Sequence, residues 1–88
     1  PTSFSLSQHY PNPFNPITRI GFDIRSSGFV LLKVFDELGS EVRTLVNEPL
    51  KSGSYETMFD AHGLGSGVYF YRLEAGGFVD TKKLVLMK

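Results

Sequence analysis

Apolar and polar positions alternate with period two along much of this chain. Ile20, Phe22 and Ile24 alternate with Arg19, Gly21 and Asp23, and Val30, Leu32 and Val34 alternate with Leu31, Lys33 and Phe35. A period of two places one set of side chains on one face of an extended strand. Turn-forming groups separate the runs: Ser26-Ser27-Gly28, Leu38-Gly39-Ser40, Glu48-Pro49, Ser52-Gly53-Ser54 and Gly76-Gly77. The pattern predicts strands near 3–8, 18–24, 29–36, 41–46, 54–60, 67–75 and 78–87. Short strands at this spacing predict an antiparallel β-sandwich.

Two segments carry other signals. Asp36-Glu37-Leu38-Gly39 is too short for a helix and ends in glycine. Val42, Leu45 and Val46 stand at helical spacing, but β-branched residues and the nearby Pro49 favour a strand. Ala75-Gly76-Gly77-Phe78 reads as a tight hairpin, which makes the last strand an integral part of a sheet. Val68-Tyr69-Phe70-Tyr71 and Phe29-Val30-Leu31-Leu32 are apolar on both faces. Only one face of each sheet meets the core of a sandwich. Tyr69, Tyr71, Leu73, Val30, Leu32 and Val34 are assigned inward. Phe70, Leu31 and Phe35 then point outward and form a candidate contact patch. Tyr69 is also placed to pin a loop through its hydroxyl, as in a tyrosine corner.

The segment Tyr10-Pro11-Asn12-Pro13-Phe14-Asn15-Pro16 interrupts the alternation. Each proline fixes its own φ and biases the preceding residue away from the helical region. Asn12 and Asn15 therefore take extended or turn geometry, where they can bond nearby backbone. A stiff loop results, with Phe14 as its expected anchor in the core.

Composition narrows the function classes. With 88 residues, the chain reads as one domain that buries roughly 60–65% of its extended-chain surface. It has eight phenylalanines and four tyrosines but no tryptophan, so an aromatic core is expected. Formal net charge is zero, so nothing there predicts electrostatic attraction to nucleic acid, which needs a clustered basic face. Without cysteine, disulfides and thiolate metal sites are excluded. No run is long and apolar enough to span a bilayer as a helix, and no membrane insertion is expected. The chain begins at Pro1, without an initiating methionine, and reads as a fragment of a longer protein, with residues 1–3 as linker from an upstream domain.

Catalytic and cofactor signals are weak. Gly63, Gly65 and Gly67 form a Gly-x-Gly-x-Gly run. It leads into a strand rather than a helix, so a turn requiring positive φ is expected in place of a phosphate loop. Gly65, not a serine, occupies the nucleophile position of a Gly-x-Ser-x-Gly elbow. His9 and His62 are the only histidines and share no ligand motif. Asp23, Asp36, Glu37 and Asp60 fall near predicted strand ends, where turn and capping roles are expected. No enzyme activity, cofactor or metal is predicted.

Three blocks together carry a family resemblance. Leu6-Ser7-Gln8-His9-Tyr10 runs into the Pro-Asn-Pro-Phe-Asn-Pro loop. Gly63-Leu64-Gly65-Ser66-Gly67-Val68-Tyr69-Phe70-Tyr71-Arg72-Leu73 follows in order, and Lys82-Lys83-Leu84-Val85-Leu86-Met87-Lys88 ends the chain. The chain resembles the C-terminal sorting domains of the type IX secretion system, which are similar to the immunoglobulin-like part of flagellar hook-capping proteins. The resemblance implies a seven-stranded immunoglobulin-like or fibronectin III-like sandwich. It implies a non-catalytic signal that sends an upstream cargo domain of the same chain through the periplasm and outer membrane to the surface or medium. The partners implied are the type IX machinery proteins. The translocation signal is implied near Lys82, Lys83, Leu84, Val85, Leu86, Met87 and Lys88, read along a strand edge. Tyr10, Pro11, Asn12, Pro13, Phe14, Asn15, Pro16, Gly67 and Tyr69 are implied to support the fold. Phe59 stands where many relatives carry tryptophan, and Thr57 where an apolar residue is common. The alternatives are a structural or adhesive immunoglobulin-like module and, more distantly, a hook-capping-type assembly domain.

Overall fold

The computed structural model describes residues 1–11 and 16–88. The expected roles of Asn12, Pro13, Phe14 and Asn15 lie outside the described residues. The strands are β1 (Ser5–Leu6), β2 (Ile17–Ile24), β3 (Gly28–Asp36), β4 (Glu41–Leu50), β5 (Gly53–Asp60), β6 (Gly67–Ala75) and β7 (Phe78–Leu86). One sheet has the order β1-β2-β5 and the other β4-β3-β6-β7, with antiparallel pairing throughout. This is the expected immunoglobulin-like sandwich, with the third and sixth strands adjacent.

The core forms where the inward faces of the two sheets meet. Ile20, Phe22 and Ile24 of β2 and Phe59 of β5 face Val30, Leu32 and Val34 of β3, Tyr69, Tyr71 and Leu73 of β6, and Leu84 and Leu86 of β7. The inward assignments on β3 and β6 therefore hold. Each such side chain contributes roughly 1.5–3 kcal/mol when fully buried.

Strand β4 departs from expectation in length and spacing. It runs through Pro49 to Leu50 rather than ending near residue 46. It lies at a sheet edge, where proline's missing N–H need not pair. Its register against β3 slips twice. Leu32 faces Val46 and Lys33 faces Thr44, which leaves Leu45 over. Val34 faces Arg43 and Phe35 faces Glu41, which leaves Val42 over. Two bulges thus put Val42, Leu45 and Val46 against the core at helix-like spacing while the backbone stays extended.

The N-terminal strand is shorter than expected because it too slips. After β1 the chain still follows β2. Ser7 donates its N–H to the Gly21 carbonyl at 2.9 Å, and Tyr10 and Arg19 exchange two backbone bonds of 3.1 Å. The pairing sum changes by one between these contacts, so a residue around Gln8 and His9 bulges from the ladder. That bulge sends the His9 side chain into the interior, where it is almost fully buried.

Tyr71 makes this inward turn possible. Its hydroxyl donates to the Ser7 carbonyl at 2.7 Å and accepts the His9 N–H at 2.8 Å. The His9 ring meets the Tyr71 ring edge-on at 5.9 Å, and its Nδ1 lies 2.9 Å from Thr18 Oγ1. Burial pushes the Tyr71 phenol up to about 12, the His9 N–H opposes this, and the Asp80 carboxylate adds to it. The neutral phenol is thus favoured by the folded state. Its contribution is complete below pH 10, the ordinary tyrosine value, and is lost as pH rises through about 12. Urea melts followed by circular dichroism are expected to show lower stability at pH 12 than at pH 10. Tyr71→Phe is expected to cost about 1–3 kcal/mol in urea denaturation and to weaken this dependence, because it strips partners from the buried His9 N–H and the partly buried Ser7 carbonyl.

Candidate recognition surface

The C-terminal strand is built from a local turn. Ala75 pairs with Phe78 across Gly76 and Gly77, whose φ values of 54° and 81° suit a two-residue type I′ hairpin. The expected hairpin is therefore present. The Phe4 ring packs over it, and a Cβ on Gly76 would lie 2.8 Å from Phe4 Cζ. Phe4 also stacks on Phe78 at 5.8 Å.

From that turn β7 runs alongside β6 for its full length, from Ala75↔Phe78 to Gly67↔Leu86. The predicted signal residues then divide by face. Leu84 and Leu86 are fully buried core residues. Lys83, Met87 and Lys88 are exposed, and Lys82 and Val85 are half-buried. Lys82 turns toward Asp80 at 3.7 Å. The run is thus a folded strand with a short tail, not a free extension.

The three sequence blocks that carry the resemblance converge here. Gln8 of the first donates its Nε2 amide to the Lys83 carbonyl at 2.8 Å. Tyr71 of the second holds Ser7 and His9 of the first. Ser66 of the second accepts the Lys88 N–H at 3.0 Å, which ties down the tail. Residues distant in sequence therefore form one side of the sandwich around β7. Periodicity gives no sign of these contacts. The only cue is that a buried tyrosine hydroxyl requires partners.

The structure places several of the residues expected to support the fold. Gly67 opens β6 at φ 151° and Gly63 sits at φ 87°, whereas Gly65 does not take a positive φ. Nothing lies within 4 Å of a Cβ placed on Gly67, so its backbone angle rather than crowding favours glycine. The Tyr69 hydroxyl donates to the Gly65 carbonyl at 2.6 Å, the loop-pinning contact expected of it. Tyr10 is exposed and Pro11 and Pro16 flank the undescribed residues.

The outward patch is less open than expected. Phe35 and Phe70 are cross-strand neighbours, but the Arg72 guanidinium lies 4.5 Å from the Phe35 ring centre and covers it. Phe35, Phe70 and Leu31 are only partly exposed. Among the described residues no cluster of His, Asp or Glu is suited to hold a metal.

A family model for the secretion system C-terminal sorting domain matches residues 8–87. The chain belongs to that family. No curated protein matches it. The domain is therefore a C-terminal sorting signal for the type IX secretion system, and it marks an attached cargo for export through the outer membrane to the cell surface or medium. The match favours the sorting reading over the adhesive one. Sorting domains of this family are not known as catalysts.

The division of faces along β7 predicts two classes of variant. Leu84→Ala and Leu86→Ala are each expected to cost about 2–5 kcal/mol in urea melts, because each leaves a cavity between the sheets. Lys83→Ala and Met87→Ala are expected to stay within about 0.5 kcal/mol of the parent.

Proposed function

We propose that the type IX machinery reads β7 and its tail as a folded surface, with Lys83, Met87 and Lys88 as the exposed contacts. Val85 lies beside Lys83 on the outward face. Lys82 acts with them through its ion pair to Asp80. Leu84 and Leu86 serve indirectly by holding the strand in the sheet. Gly67, Tyr69, Tyr10, Pro11 and Pro16 act by shaping the frame around it. The observation that carries this reading is the convergence of the three sequence blocks on β7. Recognition is of side chains more than of the strand edge, since Gln8 already occupies the Lys83 carbonyl and Asp80 the Thr81 N–H. The whole chain acts as one non-catalytic unit, and residues 1–3 lead in from the cargo.

The test is a fusion of the chain to the C-terminus of a periplasm-targeted fluorescent protein in a type IX-competent host. The parent fusion is expected in the medium or on the surface. The combined variant Lys83→Ala, Met87→Ala, Lys88→Ala is expected to fold yet remain in the periplasm. Normal export of that variant would sink the proposal. Deletion of residues 83–88 also blocks export, but through unfolding, and a protease-sensitivity assay separates the two.

A further inference from the structure

Three of the four strand edges of this sandwich are more heavily protected than the fourth, that of β5. Strand β4 carries two bulges and Pro49. Strand β7 has two edge groups bonded to Gln8 and Asp80, and the paired charges Asp80 and Lys82 on its length. Strand β1 has only two residues. Short edges, bulges, prolines and charges are the devices that keep sheet edges from pairing. Strand β5 runs from Gly53 to Asp60 without a bulge, a proline or a lysine, and its charges, Glu56 and Asp60, are of one sign. Among the described residues no strand pairs with its outer side.

The direction of its free groups follows from the register. Ala61 donates its N–H to the Pro16 carbonyl, so the odd-numbered residues of β5 bond toward β2. Ser54, Glu56, Met58 and Asp60 therefore turn their backbone N–H and C=O toward the open edge. Their side chains point away from the core, and Met58 is 57% exposed. On the inner face Tyr55 and Thr57 are only half-buried. With β1 in contact with β7 at one side, the three-stranded sheet ends one strand short of the four-stranded sheet at the other. Val42, Leu45, Val46 and Leu50 of β4 remain half-buried there.

We infer that β5 accepts an eighth strand, supplied by an extended segment of a partner protein in which outward basic residues alternate with inward apolar ones. The apolar set would extend the core face over β4. The basic set would lie beside Glu56 and Asp60. Glu56 has only a loose contact with Arg19 at 3.7 Å, and both side chains are 59% exposed. A second copy of β5 fits less well, because it would bring the carboxylates of both copies into one ladder. This site is separate from the C-terminal contacts, so it stands or falls apart from them.

The test uses the 88-residue chain and the peptide Lys-Val-Leu-Val-Lys-Val-Thr, designed to pair antiparallel with β5. Hydrogen exchange is expected to slow by about tenfold or more at the Glu56, Met58 and Asp60 amides. The same peptide with glutamate for both lysines is expected to give no such slowing. Met58→Pro is expected to abolish binding while leaving the bonds to β2, with circular dichroism confirming the fold. Glu56→Lys provides a second check, reversing the preference between the two peptides. Protection at β4 or β7 amides instead, equal effects of both peptides, or peptide-independent dimerisation through β5 would each overturn the inference.

Discussion

A single buried hydroxyl, that of Tyr71, holds the N-terminal segment against the rest of the sandwich. The backbone around His9 leaves the β2 ladder, and a buried backbone group that leaves a ladder must find another partner. Tyr71 supplies a donor to Ser7 and an acceptor to His9 from the centre of the opposite sheet. Once that crossing is fixed, Gln8 is carried to the edge of β7 and His9 is turned toward Thr18. The surface that marks the family is thus assembled from the inside, with its outer contacts depending on an internal one.

Much of the sandwich is legible in the sequence because burial on one face of a strand writes itself as alternation. Ile20, Phe22 and Ile24 show this without ambiguity. The strand from Glu41 to Leu50 is the instructive exception. Its two bulges convert a period of two into a spacing that mimics a helix, and only the local composition keeps the strand reading. Pro49 is a second case. Proline signals the end of a strand where its nitrogen must pair, but an edge position removes that demand, and the edge is a property of the assembled sheet.

The candidate surface was legible only in part. The resemblance directs attention to the last residues, and the hairpin at Gly76 and Gly77 makes them part of the sheet. What the residue pattern does not reveal is how the motif blocks join. The contacts Gln8 to Lys83 and Ser66 to Lys88 link residues 75 and 22 positions apart. Exposed polar residues obey no periodic rule, so such pairs are invisible before the fold places them. The outward aromatic pair shows the reverse problem. Phe35 and Phe70 are correctly turned out, but the cover provided by Arg72 depends on a side-chain conformation that alternation does not encode.

Because Leu84 and Leu86 belong to the core, β7 cannot be taken from the sandwich without opening it. A chain without β7 loses two core leucines and leaves β6 as a raw edge. An unpaired edge of that length is a template for pairing with other chains. Truncation within β7 is therefore a lesion of the whole sandwich rather than the removal of a tag, because the strand closes the core that holds it.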